Sequence, residues 1–198
     1  SRAWLHFSLQ SLQRDVRALG GELLIRRGQS LRELEMLQAE VHAEALYFAN
    51  CYEPLLQVRD AAVQAAFEAR GLPVRRFNAN LLIEPWQVET GGGTPYKVFT
   101  PFWRNAVMRI APGNEHPKPH SLPAVPAAPG LDLDALGLLP VRDWHTAFWQ
   151  HWQAGEAGAE ELLQAFCDGA LAGYKEQRNL PDRTGTSKLS PHLHFGEI

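Results

Sequence analysis

Cysteine is scarce in this sequence. Cys51 and Cys167 stand far apart, and neither belongs to a CxxC pair. That excludes a disulfide framework and reads as two reduced, partly buried thiols of a cytoplasmic protein. No apolar run is long enough to cross a bilayer. The N-terminal stretch, in which polar residues separate Leu5, Leu9, Leu12, Val16 and Leu19, is not a secretory signal. Excess positive charge is missing too: the net charge of −3 argues against a generic polyanion binder, and composition alone gives no hint of DNA. The histidine pairs His116/His120, His145/His151 and His192/His194 lack zinc-ligand spacing and a supporting cysteine or carboxylate cluster, so no metal is expected.

What is present is an ordinary globular composition, 45% hydrophobic and 21% charged over 198 residues, enough for one domain or one and a part. The chain opens on Ser1 and stops at Ile198, just after an apparent helix begins, and so reads as a piece of something longer. The stripe from Leu5 to Leu19 predicts a helix that stops at Gly20-Gly21. Leu23-Leu24-Ile25 reads as a short buried strand. Ser30 and Glu33 form a capping-box pattern ahead of a second helix whose Leu31, Leu34, Leu37 and Val41 face inward. Ala45–Ala49 reads as a strand. Pro54 opens a third helix through Val58, Ala62, Ala65 and Ala69 that stops at Gly71, and Val74–Phe77 reads as another strand.

A helix and a strand thus alternate about every 25 residues, the length of one βα unit, which implies a parallel sheet with right-handed crossovers. The expected fold class is α/β: a Rossmann-like domain, incomplete at its N-terminus, over residues 1–111. A proline-rich interdomain linker follows over 112–143, where seven prolines fall between Pro112 and Pro140. Residues 79–111 read as mostly irregular, with one helical stretch near Trp103. Residues 144–198 read as the start of an all-α domain, from the spacing of Trp144, Phe148 and Trp152 and of Leu162, Phe166, Ala170 and Tyr174. The tryptophans of this part read as core rather than as an electron-transfer wire.

The most informative stretch is Gly185-Thr186-Ser187-Lys188-Leu189-Ser190-Pro191-His192-Leu193-His194-Phe195-Gly196-Glu197. It sets three hydroxyls and a cation in five positions before a predicted helix with Ser190 as N-cap and Pro191 as first residue. Free N–H groups and the positive end of the helix dipole would face that loop, which makes it a site for a phosphate or pyrophosphate; a capped helix with a polar lead-in has the same pattern.

This stretch, with Tyr174-Lys175-Glu176-Gln177-Arg178-Asn179-Leu180-Pro181 before it, closely resembles the flavin-phosphate loop of the photolyase/cryptochrome family. Gly93-Thr94-Pro95-Tyr96-Lys97-Val98-Phe99-Thr100-Pro101-Phe102-Trp103-Arg104 resembles the matching segment of class I cyclobutane-dimer photolyases; read without the family, it is an aromatic segment that packs on something. Asn50-Cys51-Tyr52-Glu53-Pro54 resembles the start of the family's antenna-chromophore loop. The resemblance implies an antenna domain followed by a helical FAD-binding domain. It implies FAD held by Tyr174, Thr186, Ser187, Lys188, Leu189 and Ser190, and DNA contacted by Arg178, which by itself reads equally as a solvated charge at a helix end. No side chain acts as a catalytic acid, base or nucleophile, because the cofactor carries the chemistry.

The implied activity is light-dependent repair of cyclobutane pyrimidine dimers by electron transfer from reduced FAD. The implied partner is DNA containing such dimers, and the implied state is a monomer without membrane or metal. A cryptochrome-type blue-light signalling flavoprotein and a truncated product inactive on its own are the alternatives. Folate-binding members carry an Asn-Glu pair where this chain has Leu55 and Leu56, which argues against a folate antenna; a deazaflavin, another chromophore or none stays open.

Overall fold

The computed structural model describes residues 1–110, 113 and 117–198. Pro112 and His116 lie outside the described residues. The helices are α1 (Arg2–Ala18), α2 (Ser30–Val41), α3 (Pro54–Glu68), α4 (Phe99–Val107), α5 (Glu156–Ala165), α6 (Tyr174–Gln177) and α7 (Ser190–Phe195). The strands are β1 (Leu46–Ala49) and β2 (Val74–Phe77).

The chain forms two compact units, and they are not consecutive in sequence: Gly28–Lys118 is one, and Ser1–Arg27 with Pro119–Ile198 is the other. The expected division at 111 and 143 followed chain order; compactness instead groups the first helix with the C-terminal helices.

In the Gly28–Lys118 unit, β1 and β2 pair in parallel, Leu46 opposite Val74 and Ala49 opposite Phe77, with α3 as the crossover. This is the α/β arrangement with a parallel sheet that the alternating pattern predicts. Pro54 stands at the start of α3, where a missing N–H costs nothing, and Gly71 ends the turn after it at φ +77°. The buried face of α3 is Asp60, Val63 and Phe67, while Val58, Ala62, Ala65 and Ala69 lie exposed. In an alanine-rich helix several stripes look apolar, and the bulkier Val63 and Phe67 bury more surface per residue. The capping box expected at Ser30 does not form. Gln29 occupies the N-cap without a side-chain cap bond, and the Glu33 side chain lies over Gly28, where a Cβ would come within 2.2 Å of its Oε1. A capping box does form at Glu84 and Gln87, around the 3₁₀ turn Pro85–Gln87.

In the other unit, Leu23–Ile25 is not a strand. It has no ladder; Ile25 O accepts one bond from Leu131 N (2.8 Å). The proline-rich stretch is tied down as well, because Leu122 N donates to Leu19 O (2.7 Å). The deepest burial on α1 is at Ala3, Trp4, His6 and Ser11, whereas the Leu5–Leu19 stripe is half-buried and Leu12 is exposed. Trp4 is the centre of an aromatic cluster, with its ring 5.9 Å from Trp149, 5.7 Å from Trp152 and 6.1 Å from Phe195, the last of these stacked. Trp149 and Trp152 therefore pack inside as expected, but Trp144 and Phe148 are exposed.

α1 and the start of α5 meet at Gly155, at φ +102°, where a Cβ would come within 2.4 Å of Ser11 Oγ. Only glycine permits that approach. Helices recur after residue 142, but not as two uniform α-helices. Asp143–Gln150 is 3₁₀, and Phe166–Ala170 is a π turn that interrupts the expected Leu162–Tyr174 stripe. Periodicity of apolar residues reveals a helix without distinguishing its pitch.

Candidate functional site

Among the described residues, two places stand out as candidate ligand sites, one in each unit.

The first is the loop Gly185–Ser190 beside α6. Gly185 is buried against the backbone of Gln177, where a Cβ would lie 2.7 Å from both the Gln177 carbonyl carbon and its oxygen. A side chain there would push the loop off the helix, so glycine is what seats it. Lys188 takes a left-handed conformation (φ 58°), and Leu189 after it is right-handed and buried. Such a left-right pair turns successive backbone N–H groups toward one side, as in an anion-binding nest. Ser187 Oγ accepts from Leu189 N at 3.4 Å.

The N-cap of α7 is Leu189, not Ser190. The turn at Lys188 brings the chain into helical geometry one residue early, so Ser190 is the first helical residue and Pro191 the second, without a side-chain cap bond. Thr186, Lys188 and Ser190 are exposed, Ser187 is half-buried and Leu189 is buried. On the α6 side, Tyr174 meets Phe166 edge to face at 5.7 Å, and the exposed Arg178 guanidinium lies 5.5 Å over the Tyr174 ring. The contact of Gly185 with Gln177 thus brings the loop to the same short helix as Tyr174 and Arg178.

Behind this loop is a group of residues that sequence reasoning did not single out together. His192, fully buried on α7, and Trp4 of α1 both hydrogen-bond the carboxylate of Glu197.

The second place is a cavity of about 700 Å³ at the C-terminal ends of β1 and β2, where ligands of parallel α/β sheets sit. Asn50, Cys51, Tyr52, Pro54, Gln57, Val58, Ala61, Arg76 and Trp86 line it. Glu84, buried, organises its wall: Tyr52 Oη donates to Glu84 Oε2 (2.7 Å) and Asn50 Nδ2 donates to Glu84 Oε1 (3.1 Å). Burial first, and then the bond to Glu84, push the Tyr52 phenol above its ordinary pKa. Asp60, also buried, lies 2.6 Å from Arg59 and 3.8 Å from Arg76. The hydrogen bond to Asp60 is the main cause that raises the Arg59 pKa. Sequence reading reached Asn50–Pro54 but missed Glu84, Trp86 and Arg76. The one local signal was the spacing Glu84-Pro85-x-Gln87, a helix-start pattern.

Among the described residues no cluster of three or more His, Cys, Asp or Glu could hold a metal ion, and no helix is long and apolar enough to cross a membrane.

A model of the DNA photolyase family matches residues 1–126. The chain belongs to that family. It is 39% identical over 197 residues to the deoxyribodipyrimidine photo-lyase of Agrobacterium fabrum, covering 98% of this chain and 41% of that protein. It is 32% identical over 214 residues to cryptochrome-1 of Arabidopsis thaliana, covering 100% of this chain and 30% of that one. Among solved structures, a bacterial class III photolyase from Agrobacterium tumefaciens superposes with a TM-score of 0.88 at 38% identity, over 100% of this chain and 41% of its own. The chain therefore spans less than half the length of these relatives. The segment 93–104 pointed to class I within the family; this structural relative is described as class III.

Proposed function

We propose that this photolyase-family chain contributes part of the FAD site of a light-dependent DNA repair enzyme acting on cyclobutane pyrimidine dimers. The observation that carries the reading is the Gly185–Ser190 loop: two exposed hydroxyls, an ammonium and a left-right backbone turn within five residues, seated by Gly185 beside Tyr174 and Arg178. That donor set fits a diphosphate. N–H and O–H groups gathered on one loop match its acceptor oxygens, and the Lys188 charge offsets part of its own. In this reading Thr186, Ser187, Lys188, Leu189 and Ser190 hold the FAD phosphates with Tyr174 beside them, and Arg178 contacts DNA. When bound, the reduced flavin supplies the electron that opens the dimer's cyclobutane ring.

The role of this chain's residues is binding and placement. Leu189, buried, closes the inner side of the loop. The exposed hydroxyls and Lys188 face outward as donors. Arg178, braced on the Tyr174 ring, offers a fixed cation to a phosphodiester.

The cavity at the ends of β1 and β2 is the natural place for an antenna pigment in the same reading. Tyr52 and Trp86, with rings 6.5 Å apart, offer aromatic surface, and Arg76 offers a cation. Glu84 already accepts from Tyr52 and Asn50, and Leu55 and Leu56 bring no carboxylate. A folate pterin thus lacks an acidic partner, which favours a deazaflavin, another chromophore or none.

Flavin fluorescence titration of the purified chain tests the core of the proposal. Saturable quenching, weakened at least tenfold in Thr186→Ala/Ser190→Ala, is the expected result, as two charge-assisted bonds are lost. No flavin binding by the unaltered chain would refute it for this chain.

The similarity to cryptochrome-1 supports a second reading, a blue-light signalling flavoprotein built on the same loop. Flavin-loaded protein under blue light, with ultraviolet-damaged DNA and a count of remaining dimers, separates the two. Loss of dimers supports repair; unchanged dimers count against repair by this chain and fit either signalling or a piece inactive on its own.

A further inference from the structure

We infer that Glu197, held between His192 and Trp4, is a positioning residue for the Gly185–Ser190 loop: it acts through α7 and touches no ligand itself. The inference rests on the flavin-binding reading of that loop for its functional consequence, but not for its geometry.

α7 has six residues, too few to hold a helix by backbone bonds alone. The chain enters past Lys188 at φ 58° and leaves through Gly196 at φ 68°, both left-handed, and the N-cap residue makes no side-chain cap bond. Its orientation must come from what it is buried against. Leu189 (8% exposed), His192 (0%) and Glu197 (6%) are the buried residues of the segment, and two of the three are polar.

Those two are joined to each other and to α1. Glu197 Oε2 is 2.6 Å from His192 Nδ1, and with a carboxylate as acceptor the shared hydrogen is on Nδ1. Glu197 Oε1 accepts from Trp4 Nε1 at 3.0 Å. The Glu197 N–H donates to the His192 carbonyl at 2.9 Å. One residue thus grips α7 by main chain and side chain and ties it to a tryptophan 193 positions away.

The His192 ring also meets the Trp4 ring edge-on at 5.2 Å. Apolar contact alone lets a short helix slide and rotate. Two directional bonds between buried groups do not, because any displacement leaves a buried carboxylate oxygen or indole N–H unpaired. With His192 fixed, Leu189 stays in its buried seat, and Thr186, Lys188 and Ser190 stay turned outward. The bridge thereby sets the direction of the donors that the flavin reading uses.

Three substitutions in the full chain test this, with amide hydrogen exchange over residues 185–190 and FAD titration as readouts. Glu197→Ala is expected to speed loop exchange and to weaken FAD binding, each at least about tenfold, since both buried side-chain bonds are lost. Glu197→Gln is expected to return both to within about threefold of the original: its amide oxygen accepts from Trp4, and its NH2 donates to Nδ1 once the His192 proton moves to Nε2. Trp4→Phe keeps the ring, removes only the N–H, and is expected to fall between the two.

Unchanged loop exchange in Glu197→Ala would overturn the inference, as would Glu197→Gln behaving like alanine. Should Glu197→Ala fail to fold, Trp4→Phe decides: loop exchange equal to the original chain overturns the inference. If the original chain takes up no FAD while the exchange pattern follows expectation, the flavin reading fails and the positioning of the loop stands.

Discussion

At the scale of single residues, the cavity wall in the Gly28–Lys118 unit depends on a protonated phenol. Tyr52 donates to the buried Glu84 carboxylate, and burial together with that bond raises its pKa above the ordinary 10.0. A raised folded-state pKa means that the fold prefers the neutral phenol. The contribution is complete below pH about 10 and is lost as pH rises through the raised value. Urea unfolding between pH 8 and 11 is therefore expected to show stability that is level at first and falls above pH 10, with Tyr52→Phe removing Tyr52's share of the fall. An identical fall in both proteins would mean that Tyr52 does not couple to Glu84. None of this was legible in the sequence. Asn50 and Tyr52 are 34 and 32 positions from Glu84, and no local pattern announces a hydrogen bond across such a span. What could be read was local: Pro54 at a helix start, Gly71 at a stop, and the hydroxyls of 186–190 in one loop.

At the scale of elements, the alternation of helix and strand over 30–77 was legible because each element carries its own period and its own stop. The buried face of α3 was not, since alanines give several equivalent stripes, nor was the N-cap of α7, which moved one residue when Lys188 turned left-handed. The same loop has an element-level weak point. Gly185 leaves 2.7 Å between a would-be Cβ and the Gln177 backbone, which cannot yield as a flexible side chain can. Gly185→Ala is expected to lift the loop from α6. The expected cost is about 1–3 kcal/mol of stability, the range for overpacking, together with about a tenfold loss of FAD affinity. Thermal unfolding and flavin titration measure the two. Unchanged affinity would show that loop and helix do not act together.

At the scale of the whole molecule, residues 1–27 join the C-terminal segment across the 91 residues of the Gly28–Lys118 unit. Sequence order hid this, because α1 carries a leucine stripe suited to a sheet while its deepest burial is at Ala3, Trp4, His6 and Ser11. The tie is made of Trp4 against Trp149, Trp152 and Phe195, Ser11 against Gly155, and the Glu197 bond. Burying a tryptophan in such a cluster is worth about 3–5 kcal/mol by the cost of its truncation, a large part of what holds a small unit together. The segment 119–198 made alone is therefore expected to lack fixed aromatic packing. A peptide of residues 1–27 is expected to restore it, and a Trp4→Ala peptide is not. Near-ultraviolet circular dichroism reports the packing of Trp149 and Trp152 directly, since ordered tryptophans give signal there and mobile ones do not. A 119–198 segment with full aromatic signal and no response to the peptide would mean that the C-terminal helices organise themselves, and that α1 joins a core already formed.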